Sequence, residues 1–173
     1  MKRSRMATLV LATALVTLAS CTAAPGATAA APTPPLASAA PASPWEAAML
    51  GSVNAQRAAA GVGPLATCAT LTRSAADHSA DQAAHATMSH TGSDGSTMVQ
   101  RDERAGYVGW NALGENVAAG YPDVDSVVAA WMASPGHRAN ILDGNYHDVG
   151  FGQVGGPGGT IYWTQDFGRG GRC

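Results

Sequence analysis

The chain contains almost no lysine and no long hydrophobic run. Lys2 is the only lysine among 173 residues, so we expect no Schiff-base or lysine general-base chemistry once the first residues are removed. No apolar stretch approaches the roughly 20 residues of a transmembrane helix, so none is expected in the mature chain. The absence of a Gly-x-Ser-x-Gly sequence argues against a serine-hydrolase elbow. Without the three cations of the first five residues, seven basic residues face twelve acidic ones, and no nucleic acid partner is expected.

The first residues predict export from the cytoplasm. A charged start is followed by a short apolar segment and by Leu18-Ala-Ser-Cys21, an arrangement typical of signal peptides. Leu18 to Cys21 resembles the lipobox of bacterial lipoproteins, which implies a signal over residues 1–20 and a lipid on Cys21. The alternative is an ordinary secretory signal, cut later, with Cys21 lost. Both place the protein outside the cytoplasm, either anchored to the cell membrane through its N-terminal lipid or secreted.

The next segment has the composition of a tether. Residues 21–43 consist almost wholly of alanine, proline, threonine and serine after Cys21, and such a sequence cannot bury a core. The remaining residues, 44–173, have the length of one domain.

Two cysteines remain in that domain. Outside the cytoplasm Cys68 and Cys173 are expected to form a disulfide bond, closing a loop that restricts the unfolded chain by roughly 4–5 kcal/mol. Two free thiols are the alternative.

Helical patterns come first and strand patterns last, which predicts an α+β domain with an antiparallel sheet covered by helices. Ser43-Pro-Trp-Glu46 is a capping box that begins the first helix, and Asp125 is expected to cap a later one. Further helices are predicted over 67–85, 97–105 and 135–142, with strands at 115–119, 149–154 and 160–167.

Four segments in this order resemble the CAP superfamily of cysteine-rich secretory proteins, antigen 5 and plant pathogenesis-related proteins. They are Met88-Ser-His-Thr-Gly92, Gly114-Glu-Asn-Val117, Trp131-Met-Ala-Ser-Pro-Gly-His-Arg-Ala-Asn-Ile-Leu142 and Tyr162-Trp-Thr-Gln-Asp-Phe-Gly168. The resemblance implies a single SCP-like domain, a three-layer α-β-α sandwich with a central antiparallel sheet and a broad cleft.

The same resemblance implies a cleft lined by His90, Glu115 and His137, which in some family members holds a divalent metal. The second glutamate of the family pattern is absent, since Ser134 occupies its place. Two imidazoles and one carboxylate are suitable ligands for zinc and would leave one position open. Ser134 and His147 are further candidates for the cleft.

Each candidate also has a structural interpretation. His90 could bond its own loop, Glu115 could hold that loop through backbone N–H groups, and His137 could cap the turn that it begins. His78 and His85 share one helix face, which is expected to be solvated.

Three functions remain open on the sequence alone. The first is a non-catalytic module that binds a lipid, a glycan or a surface protein of the cell envelope. The second is a metal-dependent hydrolase that uses His90, Glu115 and His137. The third is a structural surface module, and fold-level analogy cannot choose among them.

Overall fold

A computed structural model describes residues 43–173, so the predicted signal, Cys21 and most of the tether lie outside the described part. No helix of that part is long and apolar enough to cross a membrane. Its helices are α1 (Pro44–Ala59), α2 (Ala69–His85), α3 (Met98–Ala105), α4 (Val124–Ala133) and α5 (Pro135–Leu142); its strands are β1 (Ala66–Thr67), β2 (Ala112–Ala119), β3 (Asp148–Gly155) and β4 (Ile161–Arg169).

The four strands form one mixed sheet in the order β1-β3-β4-β2. The predicted hairpin is confirmed, because β3 and β4 pair antiparallel with Phe151 opposite Gln165. Strand β2 pairs antiparallel with β4 and places Glu115 opposite Asp166. The short parallel strand β1, beside β3, was not predicted, since a two-residue strand has no periodicity.

Helix α2 covers one face of the sheet at very short range. A side chain at Gly150 or Gly152 would collide with the α2 backbone at Leu71 or Ala75. Strand β3 can therefore meet the helix main chain only because these two residues have no Cβ. Ser79 Oγ donates to Thr164 Oγ1 (2.9 Å), so this interface includes polar groups as well as close backbone contact.

The opposite face of the sheet carries the main apolar core. Trp131, Phe151, Trp163 and Phe167 are fully or almost fully buried there and pack with residues of α1, α4 and α5. Helices therefore cover both faces. The expected three-layer α-β-α domain is confirmed.

A buried arginine of α1 fixes the end of α5. Arg57 Nη1 donates to the carbonyl oxygens of Ile141 (2.8 Å) and Asp143 (2.9 Å), and Nη2 donates to that of Tyr146 (3.1 Å). Burial lowers the pKa of this guanidinium, and Asp143 partly offsets that effect. The contacts satisfy carbonyl groups left without partners where α5 ends.

The Cys68–Cys173 disulfide is present, with 5.0 Å between the two Cα atoms. The Ser43–Glu46 capping box is also confirmed. The prediction that Asp125 caps α4 is wrong: Asp123 is the N-cap, and its carboxylate accepts from Ser126 N at 2.8 Å. Asp125 lies instead in the first helical turn, where a negative charge is also favourable.

Candidate functional site

His90 lies in a loop that α2 and α3 hold in place. Gln82 of α2 accepts a hydrogen bond from Ser89 N (3.2 Å), and Arg101 of α3 donates from Nη1 to the carbonyl oxygens of His90 (3.1 Å) and Ser96 (3.0 Å). The loop is therefore fixed by side chains from two helices. His90 itself presents a side chain that is 60% exposed.

Glu115 connects that exposed ring to the interior. Its Oε1 accepts from His90 Nδ1 at 2.8 Å, and its Oε2 accepts from the guanidinium of Arg101. The Glu115 side chain is only 3% exposed, and these hydrogen bonds satisfy both of its carboxylate oxygens inside the protein. Glu115 thus holds the His90 side chain itself, whereas the structural interpretation above had Glu115 holding the backbone N–H groups of the loop.

His137 approaches the same strand from the opposite face of the sheet. Asn116 Nδ2 donates to the carbonyl oxygen of His137 (3.2 Å), and Asn140 Nδ2 donates to the carbonyl oxygen of Glu115 (3.1 Å) and to Asn116 Oδ1 (2.8 Å). These bonds fasten α5 to β2. Burial, and then His90, lower the pKa of His137.

We call His90, Glu115 and His137 the His/Glu cleft, after the cleft that the family resemblance implies. The structure brings all three to strand β2: Glu115 belongs to it, His90 contacts the Glu115 side chain, and the helix carrying His137 is bonded to it.

Ser134 and His147, the further candidates, make no side-chain hydrogen bond to these three residues. Ser134 occupies the N-cap of α5, where its side chain makes no capping bond. His147 is exposed and precedes β3, which β4 separates from β2.

His78 is not solvated, contrary to expectation. It is 1% exposed because the buried face of α2 includes Leu71, Ala75, His78 and Gln82. Its Nε2 donates to the carbonyl oxygen of Ser89 (2.8 Å) and lies 3.8 Å from Glu115 Oε2. Burial lowers the pKa of His78 more than Glu115 raises it. His85, on the same helix, is exposed as expected.

Two carboxyl groups lie buried behind the cleft. Asp102 and Asp166 are both fully buried, and Asp166 lies opposite Glu115 in the sheet register. Burial raises the pKa of Asp102 to about 6. Burial first, and the neighbouring Asp102 and Glu115 next, raise the pKa of Asp166 well above its usual range. Folding therefore favours the protonated form of Asp166.

The sequence interpretation overlooked Arg101, Asp102 and Asp166. One signal was available: Thr164 and Asp166 occupy alternate positions of β4, so one face of the strand carries two polar side chains in succession. For Arg101 no local pattern distinguishes it from the exposed Arg104 of the same helix.

Three-ligand metal binding does not fit this geometry. Both oxygens of Glu115 already accept hydrogen bonds, one of them from a guanidinium cation that lies where a metal would need the carboxylate. Within residues 43–173 no three histidine, cysteine, aspartate or glutamate side chains are grouped to hold an ion. The donors left in the cleft are two imidazoles, one fewer than a catalytic zinc site uses.

Comparison with known proteins agrees with the fold and with the order of the motifs. The model of the CAP family, described as the cysteine-rich secretory protein family, matches residues 50–167. The chain belongs to this family.

Its relatives include uncharacterised and extracellular bacterial proteins. Over 125 residues the chain is 34% identical to uncharacterized protein YkwD of Bacillus subtilis, spanning 72% of the chain but only about half, 47%, of that relative. An extracellular protein of Bacillus anthracis containing an SCP domain superposes with a TM-score of 0.64 at 26% identity, over 75% of this chain and 45% of that one.

An outer surface protein from Borrelia burgdorferi has the same TM-score, 0.64, at 21% identity. It is matched over 72% of this chain and 91% of its own. At that identity the likeness shows the fold alone. The CAP domain is thus established, whereas the role of its cleft in this chain has to be argued from the chain's own residues.

The poor fit of the cleft to a metal ion leads to a direct prediction. Protein purified without chelator should contain well under one zinc per chain, because only two imidazoles are free to act as ligands. Elemental analysis of the purified protein measures this content. Stoichiometric zinc that disappears in both His90→Ala and His137→Ala, with each variant still folded, would contradict it.

The buried carboxyl pair predicts an unusual pH dependence. Because folding raises the pKa of Asp102 and Asp166, the folded state binds more protons than the unfolded state, and this pair costs stability as the pH rises from about 4 through 6. Replacement Asp166→Asn removes an ionisable group. The variant should be more stable than wild type at pH 7, because it has no carboxyl group to ionise in the buried site, and the difference should shrink toward pH 4.

Urea unfolding at a series of pH values measures that difference. Asp77→Asn, the same change at an exposed position of α2, is the matched control and should show no such trend. A difference that does not change with pH, or a variant less stable than wild type at pH 7, would show that the carboxyl is not destabilising when ionised.

Proposed function

We propose that this CAP-domain protein is a non-catalytic binding module of the cell envelope, and that the His/Glu cleft is its binding site. The observation that carries the proposal is the contrast within one hydrogen bond: the His90 side chain is 60% exposed, whereas the Glu115 side chain that orients it is 3% exposed. A polar group presented to solvent in a fixed orientation favours recognition, because little side-chain entropy remains to be lost on binding.

Binding is favoured over hydrolysis by the state of Glu115. A general base needs a free carboxylate oxygen within reach of a water molecule, and both Glu115 oxygens are engaged by His90 and Arg101. The metal-dependent hydrolase considered from the sequence requires Glu115 as ligand or base. No observation on the described residues favours that role, and we do not propose it.

The surroundings of the cleft favour a polar ligand. Of the large hydrophobic side chains in residues 43–173, only Met88 and Val108 are exposed, which leaves little apolar surface for an acyl chain. Among the three ligand classes considered, a glycan or the head group of a lipid fits this surface better than a lipid tail. A polar patch of a surface protein would meet the same two imidazoles.

The location outside the cytoplasm also belongs to this proposal. The signal over residues 1–20, the lipid on Cys21 and the tether over residues 21–43 lie outside the described residues and rest on the sequence. They are supported by the Cys68–Cys173 disulfide, which suits an oxidising compartment. Two structural neighbours are themselves described as an outer surface protein and an extracellular protein.

An envelope-binding assay tests the cleft. The purified domain, residues 43–173, lacks the predicted anchor and should sediment with envelopes isolated from the cells that produce it. His90→Ala and His137→Ala should each weaken that binding by about tenfold, the cost of roughly one hydrogen bond. Binding is measured as the bound fraction over a series of protein concentrations.

His85→Ala supplies the matched control, since His85 is an exposed histidine outside the cleft and its loss should leave binding unchanged. Equal binding by all three variants and wild type would remove the cleft as the site. The envelopes are then treated with protease, with glycosidase or by lipid extraction. The treatment that abolishes binding identifies the class of ligand.

A further inference from the structure

The disulfide bond fastens the segment that follows β4 to the rest of the domain. We call residues 170–173 the closing segment. Besides the disulfide, two hydrogen bonds hold it: Thr70 Oγ1 donates to the carbonyl oxygen of Arg172 (2.9 Å), and Arg172 N donates to the carbonyl oxygen of Val108 (3.2 Å). The closing segment therefore lies between the start of α2 and the residues that follow α3.

This segment covers a buried tyrosine. Tyr107 is 0% exposed, and its ring packs so closely on Gly168 and Gly171 that a Cβ at either glycine would collide with it. Tyr107 packs with Cys68 and Leu71 in a small apolar cluster that is separate from the main core. Departure of the closing segment would therefore uncover this cluster and leave the main core in place.

The two cysteines of the bond differ in their access to solvent. Cys68 is 0% exposed, so its Sγ offers no surface to a reagent, whereas Cys173 is exposed. Thiol–disulfide exchange requires a thiolate to attack one of the two sulfur atoms directly. In the folded protein the attack is therefore directed to Cys173, and Cys68 is the leaving group.

The surroundings of Cys68 suit it to leave as a thiolate. It is the N-cap residue of α2, where the first N–H groups lack partners within the helix and a partial positive charge favours an anion. Its Sγ lies 3.2 Å from Thr70 Oγ1. The Thr70 hydroxyl donates to Arg172 while the closing segment is in place. Once the segment leaves, that hydrogen is free for the Cys68 sulfur.

We propose that Cys68–Cys173 is an exchangeable disulfide, at which a dithiol reductant attacks Cys173 and thereby releases the closing segment from Tyr107. One thiolate of the dithiol bonds to Cys173 Sγ, the bond between the cysteine sulfurs breaks, and its electron pair leaves on Cys68 Sγ. The second thiolate then attacks the dithiol's own sulfur in the mixed disulfide and displaces Cys173. The dithiol is oxidised to a disulfide, and its two protons pass to the two cysteines.

Mass spectrometry of the purified full chain identifies the sulfur that is attacked. The folded protein is treated briefly with glutathione, a monothiol that stops at the mixed disulfide, and its free thiols are then trapped with N-ethylmaleimide. Glutathione should be found on Cys173 and N-ethylmaleimide on Cys68. Each cysteine is identified in its own peptide, so Cys21 does not interfere. The opposite labelling would overturn the proposal.

The rate of reduction by dithiothreitol tests whether the exchange takes place in the folded protein. That rate should rise in proportion to the dithiothreitol concentration. Gly171→Ala places a methyl group against the Tyr107 ring and should accelerate reduction about tenfold, the effect expected of one overpacked methyl group. Gly155→Ala is the matched control, because a Cβ there meets no atom within 4 Å, and it should react at the wild-type rate.

Two kinetic results would contradict the proposal. A rate that does not depend on dithiothreitol concentration would mean that the bond opens only when the whole domain unfolds. A Gly171→Ala protein that is reduced no faster than wild type would mean that the closing segment does not control access to the bond.

Cys173→Ser shows what the release uncovers, and its result does not depend on the behaviour of the glycine variants. Hydroxyl-radical footprinting should find several-fold more oxidation of Tyr107 in this variant than in wild type, while Tyr162, buried in the sheet, stays protected. Equal protection of Tyr107 in both proteins, or exposure of Tyr162 together with it, would overturn the local release. Envelope binding enters none of these measurements, so the cleft and the disulfide are tested separately.

Discussion

The carboxylate of Glu115 is the point on which the rest of the site depends. Its side chain joins the exposed His90 to the buried Arg101, and its carbonyl oxygen accepts from Asn140 of α5, the helix that carries His137. One residue of an edge strand thereby holds groups from both faces of the sheet. Loss of its charge would leave a buried guanidinium without a partner of opposite charge, which is among the costliest defects in a protein interior.

The two helical layers that cover the sheet differ in polarity, and this difference determines where the buried charged groups of the site lie. The layer that contains α1, α4 and α5 is an apolar core built around Trp131 and Trp163. The layer under α2 is polar, with Asp102 and Asp166 buried beside the Arg101–Glu115 pair. Stability can come from the first layer. The second can then maintain groups in costly but defined protonation states, as functional sites often do.

Much of the fold was predictable from the sequence because its signals are local. The Ser43 capping box and the β3–β4 hairpin follow from residues adjacent in the chain. Asp125 was assigned as a cap although Asp123 has that role, since two aspartates two residues apart give the same signal. The Cys68–Cys173 disulfide was predictable because, with Cys21 expected to carry a lipid, only two cysteines remained.

The candidate site was less predictable, because its residues come from segments far apart in sequence. Glu115 and His90 entered only through the family resemblance, and nothing local showed that Arg101 would take the second Glu115 oxygen. His78 was expected in solvent because helical spacing identifies which residues share a face. It does not say whether that face meets water or a glycine-rich strand. The Gly150 and Gly152 contacts that decide the matter are tertiary.

The central claim is that a buried, ionised Glu115 fixes the orientation of the His90 ring. The most direct measurement is the ¹⁵N NMR of the His90 imidazole at neutral pH, in wild type and in Glu115→Gln. The account predicts that the wild-type ring carries its proton on Nδ1, donating to Glu115, and that the variant shows a mixture of tautomers. A wild-type ring protonated mainly on Nε2, or one unaffected by the substitution, would contradict it.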